Sequence, residues 1–197
     1  MSAMERRNQL IEVAIDLFSR DGFGGTTTRE IALAAGVTEA IIFRHFATKQ
    51  DLYKAILDTR CKSPEAQTWF AETQKFMDNN DDEGLFRLLI SKIVDGTRKD
   101  PKFQRLMLHA SLEGHELALM HHNQFKMPIG AQLIAYIAKR QQEGAIRQCD
   151  PIAVIFAVAG IAQYYAAQKY LHQSADMPVS DEAVVDCFLS ILMKGLK

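Results

Sequence analysis

Three side chains close together in the sequence have chemistry that suits the edges of DNA base pairs: Glu39, Ile41 and Arg44. An arginine donates to the acceptor edge of guanine or to a phosphate, and both roles stay open for Arg44. An isoleucine contacts the thymine methyl group, whereas a glutamate either accepts from the cytosine amino group or repels a nearby phosphate. The set therefore indicates contact with double-stranded DNA.

These residues lie in a stretch that predicts two short helices joined by a turn. A helix of small residues ends near Ala35, Gly36 supplies the turn, and Thr38 is placed to cap a second helix that runs to about His45. Apolar spacing predicts a buried and an exposed side for the second helix: Val37, Ile42 and Phe46 inward, and Glu39, Ala40, Ile41, Arg44 and His45 outward. This is the layout of a helix-turn-helix, whose second helix enters the major groove.

Helix signals continue through the chain, and no strand-like alternation persists. Thr27 and Thr48 are each followed three residues later by a carboxylate, as in a capping box. Further helix starts are predicted at Ser63-Pro64, Asp100-Pro101 and Asp150-Pro151, and breaks at Gly144 and at residues 176–180. The sequence predicts an all-α fold of about nine helices.

Composition excludes several classes of protein. The net charge is −1, so DNA contact would depend on a local basic face rather than on a basic tail. Cys61, Cys149 and Cys187 have no paired spacing, which favours a reducing compartment, the cytoplasm.

The most apolar run, Ile152 to Ala167, is shorter than the roughly 20 residues of a membrane span, so no membrane partner is expected. The sequence contains no phosphate-binding loop, nucleophile elbow or HExxH helix, and we expect no enzymatic activity.

Residues 10 to 57 resemble the DNA-binding region of the TetR family of transcriptional regulators. The resemblance covers about a quarter of the chain, and the residues that carry it are Ala14, Phe18, Gly22, Phe23, Thr26, Thr27, Ile31, Ala32, Ala35, Gly36, Val37, Thr38, Phe43, His45, Phe46, Lys49 and Leu52. It implies a three-helix DNA-binding domain over residues 1–60 and a larger helical effector-binding and dimerisation domain over residues 61–197. It also implies a regulator, most simply a repressor, that binds a palindromic operator and is released by a small effector.

The residues predicted to contact DNA combine the exposed helix face with positions where the family binds phosphate. They are Thr27, Thr28, Arg29, Thr38, Glu39, Ala40, Ile41, Phe43, Arg44, His45 and Lys49. Among them, Thr27, His45 and Lys49 match the phosphate positions. The chain departs from the usual pattern at Glu39, Ala40, Ile41 and Phe43, and Phe43 lacks the hydroxyl of the common tyrosine. The operator of a relative therefore cannot be assigned to this chain.

Two apolar stripes near the C-terminus could form either an intersubunit contact or the core of one subunit. In the TetR family the last two helices of each subunit usually pack against those of its partner and form a four-helix interface. Two DNA-binding domains in one dimer also match the two half-sites of an operator. The resemblance therefore implies a homodimer, for which the predicted interface residues are Ile155, Phe156, Ala159, Gln163, Val185, Phe188, Leu189 and Leu192.

The middle of the chain is rich in aromatic residues and methionine, which suit an adaptable pocket. For a small, mainly apolar effector we predict contacts from Trp69, Phe70, Phe103, Met107, His109, Met120, Phe125 and Tyr136. Most of these side chains could equally belong to a filled core. Four nearby histidines have no strong metal-ligand spacing, so neither a metal nor a cofactor is predicted. An alternative function is a helical ligand-binding or protein-interaction module that has lost specific DNA binding.

Overall fold

The first 61 residues of the chain fold into four helices. In the computed structural model, which describes residues 1–172 and 177–197 with the side chains of Leu117, Gln124 and Phe125 excepted, every regular element is helical. The first helices are α1 (Ala3–Gly25), α2 (Thr28–Ala34), α3 (Glu39–His45) and α4 (Lys49–Cys61). The predicted all-α class and the helix-turn-helix order are therefore confirmed.

The remaining helices are longer on average and more apolar. They are α5 (Pro64–Asp78), α6 (Asp82–Lys99), α7 (Pro101–Leu112), α8 (Glu116–His121), α9 (Met127–Gln142), α10 (Pro151–Ala166) and α11 (Asp181–Leu196). A π-helical segment, His122–Lys126, joins α8 to α9, and another, Ala167–Leu171, prolongs α10. The described residues thus contain more helices than the nine predicted, because the middle of the chain is divided more finely.

Local capping chemistry explains where most helices begin. Thr27 with Glu30, and Thr48 with Asp51, form the predicted capping boxes at the starts of α2 and α4. Helices α5, α7 and α10 begin at the predicted prolines. Thr38 occupies the cap position of α3, but its side chain makes no capping hydrogen bond, contrary to the prediction. The predicted break at Gly144 is present with φ of 74°, whereas Asp176 lies outside the described residues.

The first packing unit consists of residues 1–66 and 102–124. Its core is built from α1, α2, α3 and α4 together with the buried face of α7. The largest fully buried side chains include Phe18, Tyr53 and Ile42. Since the core side chains come from five helices, the short helices α2 and α3 do not have to be stable alone.

The second packing unit consists of residues 67–101 and 125–197. Helix α6 packs against α10 and α11, and α10 packs against α9. Arg140 binds the Asp82 carboxylate with both Nε and Nη2, at 2.8 and 2.9 Å, and the Tyr136 hydroxyl donates to the same carboxylate at 2.5 Å. These bonds join α9 to the start of α6.

The packing units differ from the domains predicted at residues 1–60 and 61–197. Residues 102–124 pack with the N-terminal helices because Phe103, Leu106 and Ala110 enter the first core. No apolar periodicity within one helix reveals which distant helix covers it. The functional boundary near residue 60 stays a prediction, since packing units and functional domains need not coincide.

Candidate nucleic-acid interface

The turn between α2 and α3 is fixed by backbone hydrogen bonds and one glycine. Gly36 has φ of 65°, and its N–H donates to the carbonyl of Leu33 at 3.1 Å. The N–H of Val37 donates to the carbonyl of Ala32 at 2.9 Å, which closes the end of α2. A side chain at residue 36 would be strained at this φ, so the glycine sets where α3 begins.

One side of α3 is buried as predicted. Ile42 is completely inaccessible to solvent and Phe46 nearly so, and both belong to the core of the first unit. Val37 is half-buried against the same core. This anchoring fixes the rotation of α3 and hence which side chains face outward.

The outward side of α3 is centred on Ala40, Phe43 and Arg44. All three are exposed, and 47% of the Phe43 surface is accessible. Ile41 and His45, which we predicted to face outward with them, are instead half-buried. Phe43 is therefore better exposed than Ile41 for contact with a thymine methyl group.

Glu39 does not extend freely into solvent from the start of α3. Its Oε1 accepts a hydrogen bond of 2.6 Å from the Thr28 hydroxyl, which lies at the start of α2. Both residues are half-buried. The bond spans the turn and ties the first residues of the two helices together. The sequence predicted Thr28 and Glu39 separately as DNA contacts, but it did not indicate the hydrogen bond between them.

Thr27 and Arg29 lie exposed at the start of α2. The Thr27 hydroxyl accepts from the N–H of Glu30 at 3.2 Å and donates to the Glu30 carboxylate at 2.8 Å. The Thr27 backbone N–H donates to the same carboxylate at 2.7 Å. These bonds lower the pKa of Glu30, with the backbone bond as the largest cause. Thr27 is thus a helix cap at an exposed position.

Lys49 makes contacts within the protein that the sequence did not indicate. Its Nζ donates to the backbone carbonyls of Phe23 at 2.7 Å and Thr26 at 2.8 Å, and it lies 3.9 Å from the centre of the Phe23 ring. Partial burial lowers the pKa of this ammonium group. Its phosphate contact stays a prediction, but the described geometry is that of a structural cation.

The turn between α7 and α8 packs against the helix-turn-helix region within the first unit. The His115 ring lies 4.3 Å from the Phe23 ring and 4.9 Å from the Tyr53 ring, measured between centres. Lys54 of α4 forms an ion pair of 2.9 Å with Glu116 of α8. The sequence did not indicate these contacts of His115, because contacts across 62 residues leave no periodic signal.

The eight residues predicted to bind an effector divide between the two packing units. Phe103, Met107, His109 and Met120 belong to the first unit, and Trp69, Phe70 and Tyr136 to the second. The side chain of Phe125 lies outside the described residues. A common pocket for these residues therefore stays a prediction.

Metal and redox chemistry receive no support from the described residues. In the parts of the chain that the structure describes, no group of three or more His, Cys, Asp or Glu side chains is arranged to hold a metal ion. Burial raises the pKa of the Cys61 thiol to about 11, which leaves it protonated at neutral pH.

The residues predicted at a dimer interface fall into two groups. Val185 and Leu189 are only 5% and 3% exposed and pack into the core of their own unit. Phe156 is 72% exposed and Gln163 is also exposed, whereas the remaining four, Ile155, Ala159, Phe188 and Leu192, are half-buried. The exposed apolar surface thus runs along α10 more than along the predicted stripe of α11.

Helix α10 and its π-helical extension together form a longer apolar helix than the run from Ile152 to Ala167 that the sequence predicted. Pro151–Leu171 spans 21 residues with a mean hydropathy of 1.3 in its most apolar window, of which only 28% is buried. By length and composition alone this helix could cross a membrane. The extension arises because Ala167–Leu171 continues the helix beyond the predicted apolar run.

Comparison with known proteins gives matches over both parts of the chain. Residues 10–56 match the profile of the bacterial regulatory proteins of the tetR family, and residues 89–187 match the tetracyclin repressor-like C-terminal domain. The HTH-type transcriptional regulator RutR of Escherichia coli K12 is 26% identical over 161 residues, which cover 82% of this chain and 74% of RutR.

One further relative and one solved structure extend the comparison. The nucleoid occlusion factor SlmA of Actinobacillus pleuropneumoniae is 29% identical over 117 residues, 59% of this chain, and the match spans 54% of the length of SlmA. The crystal structure of the transcriptional regulator FadR from Bacillus subtilis in complex with stearoyl-CoA superposes with a TM-score of 0.67 at 16% identity, covering 96% of this chain and 99% of FadR. The arrangement of helices is therefore shared over nearly the whole chain.

Proposed function

Because the chain belongs to the TetR family of bacterial regulatory proteins, we propose that it is a transcriptional repressor that binds a palindromic operator as a homodimer. A small, mainly apolar effector then releases it from DNA. Members of this family are non-enzymatic DNA-binding regulators, typically dimeric and ligand-responsive. Repression follows in the simplest case, since a dimer on its operator blocks access to the DNA that it covers.

The observation that supports DNA binding most directly is the exposed side of α3. Ile42 and Phe46 anchor the opposite side, so Ala40, Phe43 and Arg44 are presented together without any rearrangement of the helix. Arg44 supplies donors for guanine or phosphate, and Phe43 an apolar contact for thymine. Thr27 and Arg29 lie exposed at the start of α2, where contacts to the DNA backbone would position the reading helix.

A homodimer would cover the apolar surface of α10. Ile152, Phe156 and Tyr164 recur at four- and eight-residue spacing along one face of this helix, and all three are exposed. Ile191 of α11 is exposed as well. A second copy of the chain is a simpler cover than a membrane, because a regulator acts on DNA in the bacterial cytoplasm.

The effector proposal draws on the apolar middle of the chain and on a structural neighbour. The FadR structure with stearoyl-CoA gives an example of a protein of this fold with an acyl ligand. Trp69, Phe70 and Tyr136, all in the second unit, supply apolar side chains for such a ligand. Stearoyl-CoA and the free fatty acid are therefore suitable first probes.

The proposal is tested by incubating the purified chain with sheared DNA from the source organism and sequencing the retained fragments. We expect a small number of intergenic fragments to be enriched, each containing an inverted repeat. Addition of stearoyl-CoA or stearate should then release these fragments if the effector is an acyl compound. Retention of no fragment would favour the alternative, a helical interaction module that has lost specific DNA binding.

A further inference from the structure

The hydrogen bond between Thr28 and Glu39 places an oriented acceptor at the start of the reading helix. Thr28 Oγ1 donates to Glu39 Oε1 at 2.6 Å, so the carboxylate is held by one of its two oxygens. No cation forms an ion pair with Glu39 among the residues that the structure describes. The second oxygen, Oε2, retains its capacity to accept a hydrogen bond.

Glu39 is adjacent to the exposed side of α3. It precedes Ala40 and lies one helical turn before Phe43, while Ala40 lies one turn before Arg44. Glu39 with Phe43, and Ala40 with Arg44, therefore form two neighbouring rows on one face of the helix. An α3 that inserts Phe43 and Arg44 into the major groove brings Glu39 to the same groove.

The base pairs differ in how they receive a carboxylate. Guanine presents only acceptors in the major groove, thymine presents an acceptor and a methyl group, and adenine presents its amino group beside an acceptor. Cytosine presents an amino donor without a neighbouring acceptor on the same base. A carboxylate also repels phosphates, so it reduces the affinity for every DNA site that offers no donor in return.

Thr28 increases this discrimination by limiting the conformations of Glu39. Ordering a glutamate side chain on binding costs rotamer entropy when the side chain is free beforehand. A carboxylate already held by Thr28 loses less freedom when it meets a base. Thr28 thus acts as a positioning residue for Glu39.

We propose that Glu39, held by Thr28, selects a cytosine in each half of the operator. This inference rests on the proposed function, because it specifies the base that the same interface reads. It assigns the departure from the common family pattern at residue 39 to specificity rather than to loss of DNA binding.

The test is selection of bound sequences from random duplex DNA with the full-length protein and the variants E39Q, E39A and T28V. For the wild type we expect cytosine at one fixed position of each half-site, preferred roughly fivefold or more over the other bases. E39A should lose the preference at that position alone and bind unrelated duplexes several-fold more tightly. E39Q should shift the preference to adenine, because a glutamine amide pairs with the adenine edge. T28V should weaken the cytosine preference and leave the other positions unchanged.

Glu83→Gln is the matched control, since Glu83 is an exposed glutamate of α6 in the second packing unit. It should reproduce the wild-type sequence logo. An unchanged logo for E39A and E39Q, with melting temperatures altered or not, would overturn the role of Glu39 while leaving DNA binding intact. Enrichment of no sequence by the wild type would instead overturn the proposed function and this inference with it.

Discussion

At the scale of single residues, the Lys49 ammonium stabilises the segment that leads from α1 into α2. Its Nζ donates hydrogen bonds to the carbonyls of Phe23 and Thr26, and it lies over the Phe23 ring. A hydrogen bond from a charged donor contributes about 1.5–3 kcal/mol when well protected, and a cation-π contact about 0.5–1 kcal/mol at an exposed site. Lys49 is half-buried, so the lower part of these ranges applies.

Lys49→Met should lower the free energy of unfolding by about 1–2 kcal/mol, because two carbonyls lose their donor. The melting temperature of a chain of this size should fall by roughly 2–8 °C, measurable by calorimetry. Lys75→Met, at an exposed lysine of α5, is the control and should change little. An unchanged melting temperature, together with a shallower dependence of DNA affinity on salt, would instead assign Lys49 to a phosphate.

Arg44→Ala should weaken operator binding and relax the preference at one base position, if the guanidinium reads a guanine edge. A good bidentate contact of this kind contributes about 1–3 kcal/mol of discrimination. The measurement is a titration against the operator and its single-base variants by fluorescence anisotropy. Equal losses of affinity on every variant would restrict Arg44 to phosphate contact.

At the scale of secondary structure, Gly22 breaks the end of α1. It has φ of 71° and ψ of 177°, a combination essentially restricted to glycine. The Thr26 hydroxyl donates to the Gly22 carbonyl at 2.9 Å, which holds the bend. The bend directs Phe23 toward Tyr53 and His115, whose rings it contacts.

Gly22→Ala should destabilise the chain by about 1–3 kcal/mol, the usual cost of an unfavourable backbone region. An added Cβ would also meet the Glu113 carboxylate, but that group ends a flexible side chain and can turn away. Gly24→Ala is the control, because nothing lies within 4 Å of its Cβ position. A melting temperature equal to that of Gly24→Ala would show that the bend is not required.

Helix starts were predictable from sequence because capping is local. The pairs Thr27 with Glu30 and Thr48 with Asp51 lie three residues apart, and Pro64 marks the start of α5 without reference to the rest of the fold. Contacts between distant residues were not predictable. The hydrogen bond from Thr28 to Glu39 and the packing of His115 depend on the angles between helices, which a single sequence does not encode in any periodic pattern.

At the scale of the whole molecule, apolar surface on α10 remains uncovered in a single copy of the chain. Apolar spacing identified α10 and α11 as amphipathic, but it could not tell a side buried within the subunit from a side buried between subunits. Val185 and Leu189 lie on the first kind of side, and Phe156 on exposed surface. The solvent exposure of each side chain in the folded chain distinguishes a side buried within the subunit from a side left for contact between subunits.

Phe156→Glu should convert the proposed dimer into a monomer, because it places a charge in the centre of the apolar surface of α10. Light scattering during size exclusion should give a mass near the 22.2 kDa of one chain, compared with twice that value for the wild type. Leu112→Glu, at an apolar residue of α7 that is 79% exposed, should leave the dimer intact. A wild-type mass of one chain would contradict the dimer, and an unaffected variant would place the interface elsewhere.

The most direct test of DNA reading by a dimer is selection of bound sequences from random duplex DNA by the wild-type chain, followed by titration of the selected duplex at two salt concentrations. We predict an inverted repeat whose half-sites are centred about one or more helical turns apart, roughly 34 Å per turn, with one dimer bound per duplex. Affinity should fall steeply with salt, because phosphate contacts release counterions. Failure of the folded, ligand-free protein to enrich any sequence, or an affinity independent of salt, would contradict a DNA-reading function for α3.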